Sequence, residues 1–367
     1  MMNKPEVIAF YLPQYYPVKE NNEWFGEGFT EWTNVGKAKP LFRGHYQPIV
    51  PADLGYYDLR IPEVRAKQAE LAKEAGVTAF CYYHYWFGNG KELLQMPLDE
   101  VVRMGEPDFP FCICWANHTW YKKMWNSTTN VLDKTPIMPQ EYPGLEDWDA
   151  HFYRLLDIFR DKRYYQQAGK LVFVLYHTAE IPDAKKFMDR WQELAKKEGL
   201  PGFMFLSYVD DIADINNPAH QLCDMTIVCC KSNVGALLGN PFIRKVQRFA
   251  RIVFSQLFHF PLGVYRYSKI RPKLLDKRFA EENIIPVLLP NWDNTARRAA
   301  GAMVLDKATP NEFYKHCKDV FAFIRDKENK TVFLKSWNEW GEGNYMEPDL
   351  RFGHGYIQAL KRALKEF

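Results

Sequence analysis

The chain is poor in the features that would commit it to a bilayer, a nucleic acid or a disulfide scaffold. It has no run of eighteen apolar residues, so nothing in it is expected to span a membrane. Its formal charge of +3 gives no general basic surplus, and no nucleic-acid partner is expected. The seven cysteines are odd in number, and Cys81, Cys112, Cys114, Cys229 and Cys230 fall within apolar runs, which suits reduced core thiols better than bridges. Neither a CxxC pair nor an HExxH motif is present, so no metal is expected. No glycine-rich phosphate fingerprint follows the first apolar run, which argues against a dinucleotide-binding doubly wound sheet, and no cofactor is expected. The opening MMNKPEVIAFYLPQYY lacks the apolar region and cleavage site of a secretory signal, and the protein reads as cytoplasmic. No glycine- and serine-rich linker divides the chain.

What is present is an ordinary globular balance, 47% apolar and 25% charged, with aromatics high at 16%. Short apolar runs recur with helical patterns between them. They cover 7 to 16, 77 to 87, 109 to 120, 170 to 177, 203 to 208, 225 to 230, 284 to 294 and 331 to 340. Between them, IPEVRAKQAELAKEAG has Pro62 in its first turn and Gly76 as its stop, and KELLQMPLDEVVRMG reads as a helix interrupted by Pro97. About eight continuous apolar runs, each followed by a helix or loop, are the pattern of parallel strands covered on both faces. The expected fold is therefore α/β: a single-domain (β/α)8 TIM barrel over residues 1 to 367, with long loops at 17 to 60 and 118 to 146.

In such a barrel, chemistry sits at the C-terminal ends of the strands. The polar and aromatic residues there are Tyr11 and Gln14; Tyr83, His84, Tyr85 and Trp86; Trp115, Asn117 and His118; Tyr176 and His177; Tyr208; Trp292 and Asp293; and Trp337, Asn338, Glu339, Trp340 and Glu342. Taken singly, each is more often core packing than function. Together they describe an aromatic bowl with two carboxylates on its last strand. Glycosidic-bond chemistry needs such a pair, one acid to protonate a leaving oxygen and one group to supply or activate a nucleophile. A carbohydrate is the expected partner, with Glu339 and Glu342 as catalytic residues and the rest as substrate-binding residues.

The segments YLPQYYPVKENNEWFGEGFTEWTNV, GHYQPIVPADLGYYDLR, FCYYHYWF, CWANHTW, NWDNTARR and SWNEWGEG resemble the WbsX-type family, often labelled glycosyltransferases and related to the family 99 glycoside hydrolases, the endo-α-mannosidases. The resemblance implies a barrel acting with retention on α-mannoside-like linkages of a surface polysaccharide or oligosaccharide. It also implies a route in which one glutamate deprotonates the sugar's own 2-hydroxyl, whose oxygen then attacks the anomeric carbon. By position, Glu339 would be that base and Glu342 the acid, its pKa expected to be raised by burial against Trp337 or Trp340. The alternatives are a glycosyltransferase of surface-polysaccharide biosynthesis and a non-catalytic carbohydrate-binding barrel. Where the family commonly has Glu-Asn, this chain has His118 and Thr119 before Trp120, a difference that bears on the substrate more than on the reaction class.

Two further signals remain. Residues 241 to 280 carry many lysines and arginines among phenylalanines and leucines, with Asp276 as the single acid. They read as a basic amphipathic insertion able to make peripheral contact with an anionic membrane, or as a helical connection with a solvated basic face. YVDDIADINN has acids that imitate the metal-binding pattern of nucleotide-sugar transferases, and a solvated barrel-end loop is the simpler reading.

Overall fold

The structure is a computed structural model describing residues 4–121, 125–126, 131–132, 135–232, 261 and 263–367. Its eight apolar runs become strands that lie parallel and close on themselves. β1 (Glu6–Tyr11) pairs with β2 (Ala79–Trp86), β2 with β3 (Phe111–Trp115), and β3 with β4 (Lys170–Leu175). β4 pairs with β5 (Phe203–Val209), β5 with β6 (Met225–Val228), and β6 with β7 (Ile284–Leu288). β7 then pairs with β8 (Thr331–Leu334), which returns to β1. Ala9 shows the closure, in register with Phe80 on one side and Leu334 on the other. This is the (β/α)8 barrel, whose closure leaves none of the eight strands with an open edge.

The helices follow in chain order: α1 (Lys19–Phe25) and α2 (Glu31–Lys37) in the first long loop, then α3 (Pro62–Ala75), α4 (Met96–Met104), α5 (Leu145–Phe159) and α6 (Ala184–Lys197). After them come α7 (Tyr267–Ile270), α8 (Thr295–Arg298), α9 (Pro310–Ile324) and α10 (Gly355–Lys365). Pro97 lies in the first turn of α4 and does not interrupt it. A proline there lacks only an N–H that would have had no partner within the helix.

Along each strand, side chains alternate between the barrel axis and the surrounding helices. Phe10 marks the axis, its ring meeting Tyr83 at 5.4 Å, Tyr208 at 5.7 Å and Phe333 at 5.1 Å. Next in sequence, Tyr11 turns the other way and donates its hydroxyl to Gln68 on α3 at 2.7 Å.

The strands are shorter than the apolar runs. They end at Tyr11, Trp115, Leu288 and Leu334, where the runs continue to 16, 120, 294 and 340. Past those points the backbone leaves the ladder, and asparagine side chains bind it instead. Asn338 accepts from the Leu12 N–H at 2.7 Å and donates to the Leu12 carbonyl at 3.0 Å. Asn117 brackets His177 in the same way, at 2.9 Å to both its N–H and its carbonyl. Most of the basic stretch, 241 to 260 and 262, lies outside the described residues. The remainder forms a short strand, Gly263–Arg266, paired in parallel with Met303–Asp306, followed by α7 and two 3-10 turns. Arg271 is bound there to Glu312 and Asp319 of α9, and Arg278 to Asp276. Among the described residues no helix is long and apolar enough to cross a membrane, and all seven cysteines are unbridged.

Candidate functional site

Beyond β8 the chain forms a small hairpin, Asn338–Glu339 against Asn344–Tyr345, with a 3-10 turn from Trp340 to Glu342 at its tip. The hairpin is tied down from every side. Asn344 donates to the carbonyls of Asn291 and Lys335 at 2.9 and 2.6 Å, and the Asn291 side chain accepts from the Tyr345 N–H at 3.1 Å. The Tyr15 hydroxyl donates to the Asn338 carbonyl and accepts from the Trp340 N–H. Underneath, the buried Glu347 carboxylate accepts from Tyr57, Gln68 and Trp340 at 2.6 to 2.9 Å.

The hairpin brings Glu339 and Glu342 to one guanidinium. Nη1 of Arg297 is 3.4 Å from Glu339 and 2.9 Å from Glu342, while its other nitrogens grip Glu31 of α2 at 2.9 and 3.0 Å. The Glu339 side chain is 8% exposed and that of Glu342 is 21% exposed. Burial, with the neighbouring Glu342 charge adding to it, lifts Glu339 to about 7 against the pull of Arg297 and Lys335. The burial expected of Glu342 is thus greater at Glu339. Trp337 and Trp340 are fully buried, and Trp340 is stacked on Tyr345 at 4.2 Å with its N–H on Glu347.

Alternation sorts the expected site residues. Tyr83, Tyr85 and Tyr176 turn inward, and the charge of Glu339 raises the pKa of all three after burial itself. Tyr208 stacks on Tyr176 at 4.5 Å, and His118 lies 6.2 Å from Tyr176 and 5.5 Å from His177 at the rim. Tyr85 continues the wall to Trp120 at 5.0 Å, and Trp120 in turn meets Trp24 at 6.1 Å.

His84 and Trp86 sit between these tyrosines in sequence and face the helices. His84 contacts His151 of α5 at 2.8 Å, and Trp86 stacks on the same ring while donating to Asp147. Desolvation holds His84 down at about 3. Trp115 packs on His151 and Phe187, and Tyr11 on α3, so none of these four meets the glutamates. The physical reason is the two-residue period of a strand, which lets the axis see only every second side chain. Asn117, Asn338 and Gln14 act as braces: the Gln14 carbonyl accepts from the Glu31 N–H at 3.1 Å. Asp293 is also a brace. One of its oxygens accepts from His45 and Gln47 at 2.7 and 2.9 Å, the other accepts from Thr295, and its N–H donates to the Glu342 carbonyl at 2.7 Å. Because His45 Nδ1 accepts from the Leu41 N–H, its Nε2 carries the proton given to Asp293.

Four charged residues at the site lie outside the sequence expectation. Glu31 and Arg297 stand in the quoted segments FTEWTNV and NWDNTARR, but a pair 266 residues apart has no local signal. Lys335 enters the axis at the end of β8, donating to the hydroxyls of Tyr176 at 2.9 Å and Tyr83 at 3.4 Å. Lys231 follows β6, its ammonium 3.8 Å from the centre of the Trp292 ring and 3.5 Å from Asp210. Among the described residues no group of three or more His, Cys, Asp or Glu is placed to hold a metal ion.

The sequence matches the family described as Glycosyltransferase WbsX over residues 7–360. The chain belongs to the WbsX family. A curated relative, the uncharacterized protein WxcX of Xanthomonas campestris pv. campestris strain B100, is 32% identical over 98% of this chain, as is its counterpart in strain ATCC 33913. This WbsX-family chain spans about half the length of those relatives, 49% in each case. Among solved structures, it is similar to a GH99 endo-alpha-mannosidase from Bacteroides thetaiotaomicron, with a TM-score of 0.55, 14% identity, and 98% and 96% of the two chains covered. A glycoside hydrolase-like protein gives a TM-score of 0.58 at 14% identity, with 99% and 95% covered. At such identities the likeness is one of fold.

Proposed function

We propose that this WbsX-family barrel is a retaining glycoside hydrolase acting on α-mannoside-like linkages of a polysaccharide or oligosaccharide. The observation that carries the reading is the convergence of Glu339 and Glu342 on one arginine, at the axial end where Tyr83, Tyr85 and Tyr176 gather. In the forward step Glu339 takes the proton of the sugar's 2-hydroxyl, O2 bonds to the anomeric carbon, and the leaving oxygen departs with a proton from Glu342. In the return step Glu342 takes a proton from water, the water oxygen bonds to the anomeric carbon, and O2 is released and regains its proton from Glu339. The sum is addition of one water across the glycosidic bond, with both glutamates restored. A base with a pKa near 7 is matched to a hydroxyl proton at neutral pH.

The deeper burial of Glu339 favours a second assignment, with the acid at Glu339 and the base at Glu342. An activated leaving group separates the two. On an α-mannosyl fluoride, whose leaving group needs no protonation to depart, the variant lacking the acid keeps the forward step and the variant lacking the base does not. The expected result is a burst of fluoride release in Glu342→Gln, whose return step is slowed, and none in Glu339→Gln. The reverse outcome exchanges the roles, and undiminished turnover of mannan-type oligosaccharides in both variants removes the pair from the mechanism. Proton NMR of the first-formed sugar tests retention, and transfer from a nucleotide-sugar donor without hydrolysis would support a glycosyltransferase instead.

A further inference from the structure

Next to the two glutamates lies a cluster of cations that cleavage of a neutral mannoside does not use. Lys335 is 2% exposed, and its ammonium stands 4.8 Å from the ring centre of Tyr208 and 5.1 Å from that of Tyr176. Its ammonium donates to two phenol hydroxyls, and among the described residues it forms no direct ion pair with a carboxylate. Lys231, at the end of β6 and one strand removed from β8, is 15% exposed at its side chain and rests on Trp292. Among the described residues the carboxylate nearest this corner is Asp210. Asp210 is loosely paired with Lys231 at 3.5 Å and accepts from the Tyr208 hydroxyl at 2.7 Å. Burial disfavours the charge on Asp210, but Lys231 and Lys335 outweigh it and hold the carboxyl below its ordinary value.

Among the described residues Asp210 is the one carboxylate within ion-pair reach of either ammonium, and Glu339 and Glu342 act on Lys335 only from farther off, which leaves a local surplus of positive charge among aromatic faces. Burying an ammonium against hydroxyls and rings alone is costly, whereas neutral sugar hydroxyls are served by amides and phenols. We infer that the Lys231–Lys335 corner is a subsite for an anionic substituent, a carboxylate or a phosphate, on the carbohydrate bound beside Glu339 and Glu342. Lysine suits this role as a point charge, and Trp292 and Tyr208 supply ring faces on the same wall. The inference rests on the carbohydrate reading and narrows it to acidic sugars.

The test is direct binding, which does not depend on turnover. Mannose, mannuronate and mannose 6-phosphate are titrated by saturation-transfer NMR into the intact chain at low salt, and into Lys231→Met, Lys335→Met and Lys335→Arg. The expected result is binding of at least one anionic probe about tenfold tighter than mannose, a preference reduced in either Met variant and retained in Lys335→Arg. Which anionic probe is preferred tells carboxylate from phosphate. Equal binding of all three probes, or a preference untouched by Lys231→Met, overturns the inference while leaving the carbohydrate reading intact. Failure of all three probes to bind overturns both. Lys231→Met decides the matter alone if the more buried Lys335→Met does not fold.

Discussion

A methyl group on Gly341 would sit 1.7 Å from the Glu31 carboxylate and 3.0 Å from Nε of Arg297. Glycine is therefore the residue that lets the hairpin tip lie against the ion cluster. Gly341→Ala is expected to push Glu31 off Arg297, lowering turnover at least tenfold and costing about 2 kcal/mol of stability in urea titration. At Arg297 the consequence is one of pH. The guanidinium opposes the burial that lifts Glu339, so Arg297→Met should raise the Glu339 pKa further. With Glu339 as the base, the acidic limb of kcat/KM should then move upward by about one pH unit. An unmoved limb would mean that Glu339 does not set it. Residues that face each other this way were partly legible beforehand. Glu339 and Glu342 stand out because they are close in sequence. Glu31 and Arg297 do not, because their pairing exists only once α2 and α8 are brought together.

Among the elements, the hairpin after β8 lies over a buried acid. Glu347 accepts three hydrogen bonds, from Tyr57, Gln68 and Trp340. Glu347→Ala leaves those donors without a partner and is expected to cost about 3 kcal/mol, measured by urea unfolding. Turnover should fall with it, since the same hairpin carries Glu339. The strand-end residues show how far an element can be read from a run of letters. Tyr83, His84, Tyr85 and Trp86 are one stretch in the sequence, yet Tyr83 and Tyr85 face the axis while His84 and Trp86 pack on α5. The period was known, but its phase is set by which residue first meets the barrel interior.

At the scale of the whole molecule, buried acids and buried histidines pull stability in opposite directions with pH. Desolvation holds His316 at about 4 and His84 at about 3, so below pH 6.5 the unfolded chain binds protons that the folded one refuses. Each such histidine costs about 2 kcal/mol by pH 5. Burial lifts Glu347 to about 7, so the folded chain keeps a proton that the unfolded one loses as pH rises from 4.5. Its contribution is present below that range, is lost through pH 7, and amounts to about 2 kcal/mol between pH 5 and 7. Burial also holds His151 down and lifts Glu92 and Glu339 to about 7, so three histidines and three glutamates oppose one another, and urea titrations at pH 5 and pH 7 are expected to differ little. His316→Phe removes one histidine from the balance and should gain about 2 kcal/mol relative to the parent chain on going from pH 7 to 5. An identical pH response in the two proteins would show that His316 is not the group being titrated.

The amino-acid sequence by itself determined the barrel and the end of it that carries polar groups. Eight apolar runs must be covered on both faces, and a polar residue is tolerated only where a run meets its loop. It also set Glu339 and Glu342 on one short hairpin, because three residues cannot carry them far apart. Tertiary structure alone decided which strand-end side chains turn inward. It alone joined Arg297 to Glu31 and set Lys231 and Lys335 around Asp210. Those pairings are made across the barrel mouth by residues from separate loops. Electrostatics acts through distances in space, which the linear order of a chain does not contain.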